Sequence, residues 1–431
     1  MSAAGPGLRL RGEEPVVVVG GGVVGLCVAY YLVSAGIPVE VVERHALGSG
    51  ASWGNAGWVC ASHSAPIPAP GVMRYAVGSL GRPEAPLYLR PFPDARFASW
   101  LWRFWRSTTP ARFRRGYQAI AELNRPTFEL FDELAAAGVD TTLQRFGLVH
   151  AFLSAAHARA FLNVQREMAP GRYELPDEIA SGLAACGLDP VLSPEVRAAY
   201  LVPGEGVVDP GQLVAGLAKA VVERGGRVHE NTQVTGLRRD ADSVVAVETP
   251  TGELRCDAVA IAAGTWSAQL LGMIGRRIPL QAGKGYSFSV DLDPAPRHAL
   301  YLGDHKIAVS PMGAATRIAG TMEFSGNNRR MDWRRIVAVA RGSRAYLGRW
   351  FTDPDDLATQ IRDPWVGARP LLPDGIPLID RVAGNVFVAT GHAMLGVTLG
   401  PATGSALASY LRSGQRPTVL APFRIDRLGS G

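Results

Sequence analysis

Val16-Val17-Val18-Val19-Gly20-Gly21-Gly22-Val23-Val24-Gly25, with Glu43 eighteen residues further on, is the stretch that decides how this chain folds. Four consecutive β-branched residues suit a parallel strand buried on both faces. Gly20 permits a sharp turn, Gly22 lets the backbone approach a pyrophosphate, and Gly25 lets the next helix pack close to the strand. That helix is expected from Val23 to Ala35, with Ala29 and Leu32 continuing the face begun at Gly25 and Gly36 as its stop. Its free N–H groups present partial positive charge to a phosphate. A second strand, Val39 to Val42, ends at Glu43, whose carboxylate is placed to accept hydrogen bonds from a ribose hydroxyl. The stretch from Pro15 to Val39 is uncharged and long enough to cross a bilayer. Its central glycines, the change of period from strand to helix, and the charges that follow each strand argue instead for a βαβ unit that binds a dinucleotide.

At 431 residues the chain exceeds what one core usually serves, so a cofactor domain plus a second domain is expected. Apolar residues make up 47% and charged residues 19%, the balance of an ordinary globular protein. Cys27, Cys60, Cys186 and Cys256 show no C-x-x-C spacing, which leaves no metal or redox motif and suits a reducing cytosol. The first fourteen residues lack the apolar core of a secretory signal and read as an unstructured tail. The net charge of +6 suits anionic ligands or an acidic partner surface, and no nucleic-acid module is visible. A cytoplasmic location is expected, with contact at the inner face of the cell membrane left open.

After Glu43, the loop from Arg44 through Ser49, Ser52 and Asn55-Ala56-Gly57 to Trp58 is rich in glycine and serine. A one-nucleotide site has no use for such a loop, whereas FAD needs backbone donors along its ribityl chain and flavin as well as at the pyrophosphate. Residues 66–93 are proline-rich and irregular. Phe97 to Tyr117 then carries Trp100, Trp102 and Trp105 among six arginines counted from Arg96. It reads either as a membrane-surface helix or as a helix that packs its tryptophans under a second domain, and the break at Pro110 favours the second. Further on, a helix is expected over Glu122 to Ala137 and a strand over Leu148 to Leu153. Asp209-Pro210 is an N-cap with proline at the first helical position, and Gly225-Gly226 end that helix. A strand from Val228 leads to Val234, a hairpin turns at Thr251-Gly252, and the strand Ala258 to Ala262 closes on Ala263-Gly264-Thr265-Trp266, where ligands of open α/β sheets sit. A strand-rich segment spans Leu280 to Phe324. Near the C-terminus the strand Val386 to Ala389 enters Gly391-His392, with a helix expected from Pro401 to Leu411, whose dipole suits the electron-rich edge of a flavin.

These pieces together resemble the FAD-dependent D-amino acid dehydrogenase family, a branch of the D-amino acid oxidase, glycine oxidase and sarcosine oxidase superfamily. The resemblance runs from about Pro15 to Leu411 and is most specific at Ser52-Trp53-Gly54-Asn55-Ala56-Gly57, Ala65-Pro66, Ala69-Pro70-Gly71, Lys284-Gly285-Tyr286-Ser287, Gly320-Thr321-Met322-Glu323, Gly367-Ala368-Arg369-Pro370, Pro373-Asp374-Gly375 and Gly391-His392. It implies an α/β fold in which a Rossmann-like FAD-binding domain (residues 13–95, 195–280 and 360–431) is interrupted by an α+β substrate domain (residues 96–194 and 281–359) built on an antiparallel sheet. It implies non-covalent FAD held by Gly20, Gly22, Val23, Val24, Gly25 and Glu43 at the ADP half, and by Arg44, Ser49, Ser52, Asn55, Ala56, Gly57 and Trp58 along the cofactor. Val234 would sit beside adenine, Ala263 and Gly264 on the pyrophosphate side, and Gly391, His392, Met394, Leu395, Gly396, Val397 and Thr398 around the flavin ring.

Arg369 matches the arginine that binds the substrate carboxylate in related oxidases, a planar charged fork suited to bidentate pairing. The family branch commonly has Gln, Pro and Tyr where this chain has Trp58, Ala61 and His63, and glycine-oxidase-like relatives have a second arginine where Met394 stands. Lys284 or Tyr286 would border the flavin, Trp58 and His63 would shape the side-chain pocket, and His63 is a candidate general base, although a loop histidine without a visible partner is more often structural. The implied reaction is oxidative deamination of an amino acid, D favoured, by hydride transfer from the α-carbon to flavin N5, with reoxidation by a quinone, another carrier or O2. Alternatives are oxidation of a secondary amine such as hydroxyproline, a sarcosine-like or an opine substrate, in a larger complex or alone, and a flavin-binding subunit without turnover. No metal site is expected.

Overall fold

The four valines Val16–Val19 form a fully enclosed strand, with Val16 to Val18 at 0% exposure. Burying such side chains stabilises the fold by roughly 1.5–3 kcal/mol each. In the computed structural model, which describes residues 12–78, 85–89, 94–348, 350–351 and 353–429, this strand sits inside a six-stranded sheet. The order is Leu378–Ala383, Val386–Thr390, Ala258–Ile261, Val16–Val19, Val39–Val42, Arg227–His229. All neighbours are parallel except the edge pair Leu378–Ala383 with Val386–Thr390. The expected tail falls mostly outside the described residues, as do positions 79–84 and 90–93 of the proline-rich stretch. Residues 12–14 are tied down: Gly12 N donates to Asp257 at 2.7 Å, and Glu14 pairs with Arg255 at 2.9 Å.

Helix Val23–Ser34 follows the glycine turn and Gly36 ends it with φ +75°. It packs on helix Gly396–Ser413, where Gly404 leaves no room for a side chain: a β-carbon there would meet the Cys27 backbone at 2.6 Å. Close packing brings the N-termini of both helices to the same end of the sheet. Two expected boundaries are corrected. The C-terminal helix begins at Gly396, with Pro401 inside it rather than at its start, and the helix expected over Glu122 to Ala137 is two helices, Pro110–Leu123 and Thr127–Ala136. Pro126 cannot donate a helical hydrogen bond, so the chain breaks before it, and Asn124 at the break uses its Nδ2 to bond Ala61 O at 3.0 Å.

A nine-stranded sheet lies beside the first, in the order Arg362–Leu371, Gln281–Val290, Ala315–Phe324, Ile307–Met312, Ala299–Leu302, Leu148–Phe152, Ala198–Val202, Ala180–Ser181, with Leu87–Leu89 paired to Ala315–Phe324. It is antiparallel apart from two parallel joints, Ala299–Leu302 with Leu148–Phe152 and Leu87–Leu89 with Ala315–Phe324. Helix Trp333–Leu347 covers one face, where Ile336 and Val339 join Tyr286, Phe288 and Ile318 in a buried cluster. The Trp-rich segment is two helices, Ala95–Ser107 and Pro110–Leu123, with Trp100 buried but Trp102 and Trp105 exposed. Among the described residues no helix is long and apolar enough to cross a membrane.

Candidate active site

Gly20 has φ +120°, and a β-carbon on it would lie 2.5 Å from Ala262 O, so neighbouring strands approach as only glycine allows. Here a cleft of about 1220 Å3, partly open to solvent, begins. Its lining runs from the C-terminal ends of the parallel strands to Ala368 and Pro370 of the second sheet, so it is an extended groove that suits a long ligand. It is lined by Gly20, Gly22, Val23, Val24, Glu43, Arg44, Ser52, Asn55, Val234, Ala263, Gly264, His392, Gly396 and Val397. Two helix N-termini, at Val23 and Gly396, thus face one space, the arrangement that stabilises anionic groups. The Glu43 carboxylate is fixed by Gly21 N (2.9 Å) and His45 N (3.0 Å), and Ser52 Oγ accepts from Val23 N at 3.2 Å.

Other residues expected here do not line the cleft. Gly25 is a packing position, since a β-carbon would meet Gly20 O at 1.9 Å. Ser49 lends its carbonyl to Arg329, and Met394 is 46% exposed. Gly391 turns the chain with φ +80°, and Leu395 is buried just before the helix. Thr398 reaches backward, its Oγ1 donating to Trp58 O at 3.0 Å. Several lining residues carried no sequence signal. Arg329, from the segment after strand Ala315–Phe324, is one of them; Trp266, already marked by its turn, stacks under Arg44 with the guanidinium carbon 3.8 Å from its ring centre.

The loop after Ser52 is held against one face of the nine-stranded sheet. Ser287 Oγ donates to Gly54 O (2.8 Å), Arg317 to Trp53 O (3.3 Å) and Asn55 O (3.1 Å), Ser310 Oγ to Ala56 O (2.7 Å), and Trp58 Nε1 to Ser310 Oγ (2.9 Å). Asn55 Oδ1 accepts from Gly57 N at 2.8 Å and closes the turn. The register pairs Gly283 with Arg369, Gly285 with Gly367 and Ser287 with Trp365, so by strand alternation these side chains share that face. The Arg369 guanidinium lies over bare Gly285, and its Nη1 donates to Thr321 O at 2.8 Å. Among the described residues no carboxylate pairs with it, and burial lowers its pKa to about 10, which leaves it charged at neutral pH. A partly buried guanidinium without an acid has the charge and geometry to pair with a carboxylate from outside the chain.

An FAD-dependent oxidoreductase (DAO) family model matches residues 15–410. The chain belongs to the DAO family of FAD-dependent oxidoreductases. It is 32% identical over 426 residues to a D-amino-acid oxidase of Bradyrhizobium diazoefficiens, covering 96% of this chain and 98% of that protein. It is 30% identical to a D-amino acid dehydrogenase of Methylobacterium sp. strain 4-46, covering 94% and 96%. In fold it is similar to the crystal structure of glycine oxidase from Bacillus cereus, with a TM-score of 0.73, 21% identity and coverage of 97% and 100%. FAD is therefore the cofactor of this DAO-family enzyme, and the cleft's bare Gly20 and Gly22 with two converging helix N-termini fit a pyrophosphate.

Lys284 and Tyr286, expected beside the flavin, do not line the cleft. Strand alternation turns them to the sheet face opposite Arg369, where Lys284 Nζ meets Glu323 Oε1 at 2.9 Å and Tyr286 OH donates to Glu323 Oε2 at 2.7 Å. Arg335 approaches the same carboxylate at 3.9 Å. This corrected placement makes them members of a buried charge cluster.

His63 does have a partner. Its Nδ1 lies 3.3 Å from His150 Nε2, and its ring stacks on Phe161 and stands edge-on to Tyr301 and Trp58. Burial among these rings, helped by Lys306, pushes its pKa down to about 3, too low for a base that must take a proton near neutral pH. The general-base expectation is corrected on that ground, while Trp58 and His63 do lie on the sheet face that carries Arg369. Beneath them, Ser62 N donates to Glu205 Oε1 at 2.8 Å, and burial raises the Glu205 carboxyl to about 7. Sequence reasoning missed Glu205, which had no motif around it.

Proposed function

We propose that this enzyme oxidatively deaminates an amino acid, a D-amino acid being favoured, to an imine that hydrolyses to a keto acid and ammonia. The observation that carries the reading is the Arg369 guanidinium, charged, lacking an acid partner among the described residues, and lying over bare Gly285. Bound FAD supplies the hydride acceptor. Arg369 holds the substrate carboxylate and thereby fixes the α-carbon, and the enclosing sheet face keeps water from the reacting atoms. His63 takes no proton, so the amine enters in its neutral form. The preference for D-substrates is supported by the D-amino-acid oxidase and dehydrogenase named above. We further propose that the substrate side chain runs along the face toward Trp58, His63 and Tyr301, which favours bulky apolar side chains over glycine or alanine.

Gly20, Gly22, Val23, Val24, Glu43, Arg44, Ser52, Asn55, Val234, Ala263, Gly264, His392, Gly396 and Val397 are proposed to hold non-covalent FAD. The two units are proposed to follow the two large sheets. Leu87–Leu89, Ala198–Val202 and Arg362–Leu371 then go with the substrate unit rather than with residues 13–95, 195–280 and 360–431. A cytoplasmic location and reoxidation by a quinone or other carrier in preference to O2 belong to the same proposal.

Anaerobic mixing with D-, L- and N-substituted amino acids, followed by flavin bleaching, tests it. Bleaching by D-amino acids with bulky side chains is expected, with slow recovery in air. Bleaching by N-substituted substrates alone overturns the primary-amine reading, fast recovery in air overturns the carrier-linked one, and no bleaching overturns catalysis.

A further inference from the structure

Helix Ala95–Ser107 has two faces that differ in kind. Phe97, Trp100 and Phe104 are buried against Phe324 and Leu371, and Trp100 Nε1 donates to Leu371 O at 3.3 Å. The outward face carries Trp102 and Trp105, 53% and 56% exposed, three residues apart and therefore neighbours on one helix surface. Keeping two indoles in water costs free energy that the fold gains nothing from. Arg96, Arg106, Arg112, Arg114 and Arg115 are exposed on this helix and the next, and Arg106 lies over the Trp102 ring at 4.8 Å. Residues 95–121 contain six arginines and no Asp or Glu.

We propose that this face docks on an anionic lipid bilayer, with Trp102 and Trp105 at headgroup level and the arginines on lipid phosphates. Indoles prefer the interface between water and hydrocarbon, because their body is apolar and their N–H is polar. Six arginines spread over residues 95–121 with no acid between Asp94 and Glu122 meet a diffuse negative surface well, whereas a specific protein partner usually calls for both signs in a fixed pattern. Neither helix is long and apolar enough to span the membrane, so the contact is peripheral.

The test is flotation of the FAD-loaded enzyme with vesicles of phosphatidylcholine alone or mixed with phosphatidylglycerol. Binding to the anionic vesicles only, with release in about 0.5 M salt, is expected. W102A/W105A should weaken partitioning on the order of tenfold, and each of R106Q, R112Q and R115Q by about fivefold, with flavin content and turnover in solution unchanged. Absence of binding to anionic vesicles overturns the proposal, as does binding that ignores the Trp pair. If light scattering shows a dimer that W102A/W105A converts to monomer, the face joins two copies of the chain and the proposal fails.

Discussion

The Arg369 guanidinium occupies the space directly above Gly285, where a β-carbon would stand 2.1 Å from Nη2 and 2.2 Å from Cζ. The glycine is thus a condition for the arginine's position, and the register that pairs Gly283 with Arg369 sets the two side by side.

Gly285→Ala should push the guanidinium aside while leaving the cofactor cleft intact. A displacement near 1 Å costs on the order of 10²-fold in rate, so kcat/KM should fall by about that factor with an unchanged flavin spectrum. Arg369→Gln should cost more, about 3–5 kcal/mol of transition-state stabilisation. Steady-state kinetics with a D-amino acid and with the corresponding decarboxylated amine separates the roles: if the amine loses as much as the acid, Arg369 does not bind the carboxylate.

Gly25→Ala places a methyl 1.9 Å from Gly20 O, and backbone cannot yield there. The variant should purify largely without flavin. Gly22→Ala meets only Ser52 Oγ at 3.2 Å within the protein, so its methyl should crowd the pyrophosphate while the fold stands. Thermal unfolding and flavin absorbance decide the matter: Gly25→Ala should lose both stability and flavin, Gly22→Ala flavin alone, and a Gly22→Ala variant that keeps its full flavin would contradict this geometry.

Removing the Glu323 carboxylate leaves Lys284 in a buried site without its anion. Glu323→Ala should lower stability by about 3–5 kcal/mol in urea denaturation. If Lys284 acts at the flavin instead, Lys284→Met will abolish hydride transfer in stopped flow while the flavin stays bound; the opposite-face placement anticipates an effect mainly on stability.

Buried neutral groups give stability a dependence on pH with two opposed signs. The pKa of His392, beside Thr403, is pushed down to about 3 by burial, as that of His63 is. Below about 6.5 the unfolded chain takes up a proton that these folded rings refuse, so stability falls as pH drops from 6.5 toward 3, by about 2 kcal/mol per ring at pH 5. Glu205 acts in the other direction. Its carboxyl, raised to about 7, stays protonated in the fold while the unfolded group ionises near 4.5, so stability falls as pH rises from 4.5 to 7. Glu205→Gln should therefore flatten the alkaline side of the profile, by about 3 kcal/mol, and leave the acid side steep. Urea titrations between pH 4.5 and 8 would show it, and an unchanged alkaline limb would disprove the Glu205 assignment.

The run from Val16 to Gly25 and Glu43 was legible in one dimension because its physics is local: β-branched residues, three glycines and one acid dictate strand, turn, helix and strand without outside help. The same holds for Asp209-Pro210 as a helix start, where Asp209 Oδ1 accepts from Gly211 and Gln212 N. The motifs around Lys284 and Arg369 named residues and left their orientation open. Which way a strand side chain points depends on one residue of register, and register is settled by distant partners. Only pairing with Gln281–Val290 turned Arg369 to the face of the cofactor loop and sent Lys284 and Tyr286 to Glu323 on the other. His63 likewise met His150, Phe161 and Tyr301, drawn from three other parts of the chain. Local sequence therefore determined that an FAD-sized cofactor has a place to bind, and tertiary packing decided which charges face it, because burial and strand parity belong to the whole sheet.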